Sequence, residues 1–170
     1  MIKRLIALVL ALMCVGCFFG CSEDSGFGSG KNDKKVDTKA SNENIDIKAL
    51  KNSIITELEI EGAMDMGNAI LLSYGIDEKD IKESASFITE GGAFTSEAII
   101  IKAVDDDAAE RIAEKLEVRL KALLEQSKNY SADDYAIAKE CEVKVYGQVI
   151  TLFFAPNHKG MTEVAESILE

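Results

Sequence analysis

His158 is the sole histidine among 170 residues, so acid–base chemistry near neutral pH has one candidate, and that candidate needs a positioned partner. The run Asn157-His158-Lys159-Gly160 offers no Ser or Cys nucleophile and no carboxylate cluster at a recognisable spacing. It predicts a solvated loop residue. Cys141 stands in Glu140-Cys141-Glu142, whereas a reactive thiolate needs an electropositive setting; it reads as a buried structural thiol. Gly26-x-Gly28-x-Gly30-Lys31 has the glycines of a phosphate-binding loop. No strand precedes it, however, no helix follows, and Asn32 occupies the place of the Mg²⁺-binding Ser or Thr. Asp105, Asp106 and Asp107 lack the spacing and closing Glu of an EF-hand. Ahead of an apolar helical stripe they fit an N-cap and an acidic first turn. Met64 and Met66 are too few sulfurs for a soft-metal site and read as core fillers. An acid pair of the glycosidase kind is the only catalytic chemistry left, and the sequence does not show two carboxylates at the required separation. No catalytic residue, metal ligand or cofactor is therefore assigned, and any ligand-binding residue stays open.

The remaining thiols carry a different chemistry. Lys3 and Arg4 precede an apolar run, Leu5 to Phe19, that ends in Gly20-Cys21. The run is shorter than the roughly 20 apolar residues that span a bilayer, and its far end is small rather than basic. An export signal over residues 1–20 is the better reading than a permanent membrane span. A cysteine after a small residue at the end of such a run resembles the lipobox of bacterial lipoproteins, where the thiol is acylated and becomes the new N-terminus. Phe18-Phe19-Gly20-Cys21 is followed by the polar start Ser22-Glu23-Asp24, which favours Cys21. Val15-Gly16-Cys17 has the small residues, but Cys14 stands where Leu is usual and Phe18-Phe19 would follow the cut; Cys17 is the alternative. Conventional cleavage, with all three cysteines lost or unmodified, is a third reading that lacks a nearby Ala-x-Ala site.

Lys+Arg 19 against Asp+Glu 30 gives a formal charge of −11. Loss of residues 1–20 removes Lys3 and Arg4 and no acid, which moves it to about −13. Such a field repels phosphate backbones, so nucleic acid is excluded as a partner, while a cationic or peptide ligand suits it. With Cys21 lipidated, Cys141 has no partner for an intradomain disulfide. Residues 21–44 hold the lipidated Cys and then Ser, Gly, Asn, Asp and Lys with almost nothing to bury. They predict a disordered tether with an r.m.s. reach of about 25 to 30 Å.

Residues 45–170 must then supply one domain. Ile47, Leu50, Ile54 and Leu58 recur at helical spacing. Met64 to Tyr74 is a second short apolar stretch that Gly75 ends. Glu83 to Thr89 alternates, Gly91-Gly92 can turn the chain, and Glu97 to Val104 carries Ile99-Ile100-Ile101, so a hairpin is expected. Ala109, Ile112, Leu116, Leu120 and Leu123 stripe a long helix capped by Asp105, with Glu117 and Lys121 as an i,i+4 pair on its wet side. Ala132 to Ala138 forms a short helical turn. Cys141 to Tyr146 alternates, Gly147-Gln148 suits a II′ turn, and Val149 to Ala155 is apolar enough for a central strand. Met161 to Leu169 closes the chain as a helix. The expected fold is α+β and two-layered: a four-stranded, mainly antiparallel sheet with helices on one face, in the order ααββαββα.

Tyr74-Gly75-Ile76-Asp77, the Gly91-Gly92-Ala93 hairpin, Ser96 to Ala103, and Asp106-Asp107-Ala108 opening a helix through Arg119 to Gln126 and Tyr130 together resemble the DUF4358 family over most of Ile47 to Leu169. That family consists mostly of small predicted lipoproteins of clostridia and related Gram-positive bacteria, and it brings no catalytic residue with it. The resemblance implies a lipid-anchored protein on the extracytoplasmic face of the cell membrane. Relatives encoded near membrane-bound O-acyltransferases motivate one hypothesis, a non-catalytic accessory domain at the cell envelope docked on an envelope membrane protein. A tethered ligand-binding module for a cationic or peptide ligand is the alternative, and an envelope enzyme with paired carboxylates the third reading.

Overall fold

The computed structural model describes residues 45–89 and 96–170. The signal over 1–20, Cys17 and Cys21, the tether and the Gly91-Gly92 turn lie outside the described residues. No described helix is long and apolar enough to cross a membrane.

The elements run α1 (Ile47–Glu57), β1 (Met64–Asp65), α2 (Asn68–Ser73), a 3-10 turn (Glu78–Asp80), β2 (Ile81–Ser84), β3 (Phe87–Thr89) and β4 (Ser96–Ala103). They continue as α3 (Asp106–Tyr130), α4 (Ala132–Ala138), β5 (Val143–Tyr146), β6 (Val149–Phe154) and α5 (His158–Leu169). The class is α+β with an open antiparallel sheet, as expected, but it has six strands rather than four. The order along the sheet is β1-β3-β4-β6-β5, with β2 also paired to β4. Two local events account for the difference. The expected strand Glu83 to Thr89 is broken at Ala85-Ser86, where the buried Ser86 hydroxyl enters the ladder: it accepts from Ile100 N–H at 3.0 Å and donates to Ile100 O at 3.2 Å. The result is two short strands, β2 and β3, against the same edge of β4. Met64-Asp65, read as the start of a helix, instead pairs with Ile88-Phe87, and α2 begins only after Gly67. Met66 is core, but Met64 is 43% exposed on that edge and fills nothing.

Helices cover both faces of the sheet, not one. In β4, Ala98 and Ile100 face the cluster built with Ile47, Leu50 and Ile54 of α1 and Met161, Val164 and Ala165 of α5. Ile99, Ile101 and Ala103 face the cluster built with Ile112, Leu116 and Leu123 of α3, Leu71 of α2 and Ala138 of α4. β6 alternates in the same way. Strands buried on both sides read as continuous apolar runs, and this is why Ile99-Ile100-Ile101 and Val149–Phe154 lack polar alternation.

Local signals place the ends. Asp105 caps α3 by accepting from Ala108 N–H at 2.7 Å, and Asp46 caps α1 through Lys48 and Ala49 N–H. Gly147 takes φ +60 between β5 and β6, the left-handed first position of a II′ turn. Glu117 and Lys121 are both exposed and form no ion pair among the described residues.

Candidate functional site

α5 does not begin at Met161. Pro156 and Asn157 end β6, and the helix starts at His158, one turn earlier than its apolar residues announce. His158 continues the buried stripe of Met161, Ala165 and Leu169 back to the helix start. It is therefore buried, with 7% exposure, and the expectation of a solvated loop residue is corrected.

β5 is an outer strand of the sheet, with α5 beside it. Between them lies a cleft of about 240 Å³ with Phe153 of β6 among its walls. Glu140 and Cys141 reach it from the loop after α4, Glu142 and Lys144 from β5 and its approach, and Thr162, Glu163 and Glu166 from α5. Lys144 on β5 pairs with Glu166 on α5, which holds its ammonium above the usual range. Lys159 Nζ sits 2.6 Å from Glu140 Oε2. The hydrogen bond from Lys159, reinforced by its charge, holds the Glu140 carboxyl below the usual carboxylate range. The first pair clips α5 to β5 and the second joins it to the loop after α4, and together they occupy both lysines of the cleft. Glu142 and Glu163 are exposed and enter no ion pair among the described residues.

Cys141 is the buried thiol the sequence predicts. Its Sγ donates to Ile137 O at 3.2 Å, and burial, followed by the charge of Glu140, pushes its pKa up to about 12. At neutral pH it is a thiol, not a nucleophile.

Two further polar groups, which sequence reasoning missed, lie on the α3 face. Arg119 of α3 grips Glu97 of β4 through Nε at 3.2 Å and through an Nη, with its guanidinium 4.4 Å from the centroid of the Tyr74 ring. Arg111, two turns earlier, grips Asp80 at 3.0 and 2.7 Å and holds its carboxyl below the usual range. Both carboxylates are buried. The signal available was the spacing Arg111, Lys115, Arg119 along one flank of α3, but nothing local names their partners. Met64 and Met66 are separated by exposure, and Asp105 to Asp107 serve the helix. Among the described residues no cluster of His, Cys, Asp and Glu could hold a metal ion.

An open antiparallel sheet covered on both faces by helices, with an acidic cleft along one edge, makes this a small α+β protein. Residues 57–155 match the model of a domain of unknown function, DUF4358, and the chain belongs to that family. No curated protein and no solved structure matches the chain. The matched segment contains Glu140 to Phe153 of the cleft and stops before His158 and α5.

Proposed function

We propose that the chain is a lipoprotein held on the extracytoplasmic face of the cell membrane by Cys21, with Cys17 as the alternative anchor, and that its domain is a non-catalytic interaction module. In this role it is an accessory to an envelope membrane protein. The observation that carries the interaction reading is the charge of the cleft between β5 and α5. Its lysines are taken by Glu140 and Glu166, while Glu142 and Glu163 remain presented to solvent. An uncompensated acidic edge on a chain of formal charge −11 recruits a cationic partner surface. A lipid anchor a tether away would hold the domain at high effective concentration near that partner. The same cleft favours a second reading, a tethered receptor for a small cationic or peptide ligand.

Cross-linking of the intact protein in its own cells, followed by mass spectrometry, tests the accessory role. One reproducible membrane partner, lost when Cys17 and Cys21 are both changed to Ser, supports it. An unchanged background refutes it and leaves the receptor reading. Labelling with an alkyne fatty acid tests the anchor: the wild type is marked and the double variant is not.

A further inference from the structure

The imidazole of His158 is an unsatisfied polar group in the cleft. Its side chain is 9% exposed, Nδ1 lies 3.0 Å from Ala155 O, and Nε2 is buried without a hydrogen-bond partner. A carbonyl oxygen only accepts, so the hydrogen between these atoms belongs to Nδ1. In the neutral ring Nε2 is then a bare acceptor. Glu140 Oε2, 3.7 Å away, is another acceptor, and the gap is too long for a hydrogen bond. Nε2 thus faces an acceptor that is itself answered by Lys159 Nζ at 2.6 Å, and has no donor of its own.

The rest of the cleft has the same imbalance. Glu142 and Glu163 can only accept when ionised. Lys144 has given its ammonium to Glu166, and Cys141 has given its S–H to Ile137 O. Lys159 does reach Glu140, but its side chain is 71% exposed, and an exposed pair is easily exchanged. The missing component is a compact cation with several hydrogens to donate.

We propose that this cleft binds a primary ammonium group on an alkyl stem, of the kind a lysyl side chain carries, with one N–H donated to His158 Nε2 and another to Glu140. The ammonium displaces Lys159 from Glu140, and its stem lies against Phe153. An ammonium has three N–H donors and no acceptor, which matches a site made of acceptors. The volume, about 240 Å³, is below the roughly 300 to 1,000 Å³ of pockets for drug-sized ligands and suits one side chain. This inference rests on the reading of the domain as an interaction module.

The single histidine makes the test direct. In the full-length protein labelled with ¹⁵N-histidine and held in detergent micelles, all imidazole signals come from His158. At about pH 8, Nα-acetyl-lysine methylamide should shift the Nε2 resonance saturably, with Kd of about 1 mM. The Nε-acetylated derivative should not. Lys159→Met removes the internal competitor and should tighten binding by up to about fivefold, the most an exposed pair is worth, whereas Glu140→Gln should weaken it. n-Butylamine binding as well as the lysine derivative would assign the site to free alkylamines, and weaker binding to a peptide side chain; both support an ammonium site. A static Nε2 resonance, or an equal response to the acetylated derivative, overturns it. If the resonance stays static while cross-linking finds a partner, this inference fails and the interaction reading stands. A shift with no partner found does the reverse for the accessory role.

Discussion

Replacing Arg119 by Met strands a carboxylate. The Glu97 side chain is 7% exposed and accepts two N–H groups from an Arg119 side chain that is itself 21% exposed. With Arg119 gone, Glu97 is left under α3 with the Tyr74 hydroxyl but no opposite charge, and removing one partner of a buried pair costs about 3 to 5 kcal/mol. A domain of this size holds a net stability of about 6 to 19 kcal/mol, so the variant still folds but loses a large share. With a urea m-value of about 1 to 3 kcal/mol/M, the unfolding midpoint should drop by about 1 M or more. Glu97→Leu together with Arg119→Met removes both charges and should recover at least half of the loss, because the cost lies in the stranded charge and not in the missing attraction. Circular dichroism across a urea series measures all three proteins. If Arg119→Met costs no more than about 1 kcal/mol, as for an exposed pair, or if the double variant is no better than the single, the desolvation argument is refuted.

Ser86→Ala leaves the Ile100 N–H, buried in the middle of β4, without its acceptor; a stability loss of about 1 to 3 kcal/mol is expected, with faster hydrogen exchange at that amide, and wild-type exchange there would rule out the bridging role. Alkali should destabilise the fold: burial, the leading cause in each case, raises Cys141 from 9.0, and Tyr74 and Tyr146 from 10.0, to about 12. The folded state then holds protons that the unfolded state releases, so their contribution is intact below pH 9 and disappears as pH rises toward 12. Thermal melts across that range should fall steadily, and a flat profile would contradict it. Gly147→Ala forces a side chain onto φ +60 in the β5–β6 turn; a loss of about 1 to 3 kcal/mol is expected from melts, and none would mean that the turn relaxes.

The parts of the fold legible in the sequence are those whose cause is local. Asp105 caps the helix it precedes, Gly75 and Gly147 take the positive φ that their turns require, and the stripe from Ala109 to Leu123 marks α3. What was not legible depends on partners distant in the chain. The break in the edge strand needs the Ser86 hydroxyl to meet Ile100, fourteen residues on, and a serine in an alternating run shows no such preference by itself. The second helical layer was hidden because burial on both faces erases the alternation that would show which residues point where. Arg111 and Arg119 look like the solvated flank of an amphipathic helix until Asp80 and Glu97 arrive from other elements.

His158 was misplaced for a related reason, and the error bears on the cleft. Its neighbours Asn157, Lys159 and Gly160 are polar or small, so composition argues for a loop. Periodicity argues otherwise, because position 158 lies three residues before Met161 and seven before Ala165, on the buried side of α5. A histidine on that stripe enters the core with one ring nitrogen answered by Ala155 and the other by nothing. An apolar residue would fill the same space without leaving a buried acceptor unsatisfied, at a cost of about 1 to 3 kcal/mol. That choice of side chain makes sense if a donor arrives from outside, and the cleft beside it is where a donor would enter. The family match covers residues 57–155, which hold the β5 wall of the cleft, while His158 and α5 form the other wall. Affinity for an ammonium should therefore depend on α5, and changing its exposed Glu163 should alter binding without disturbing the sheet.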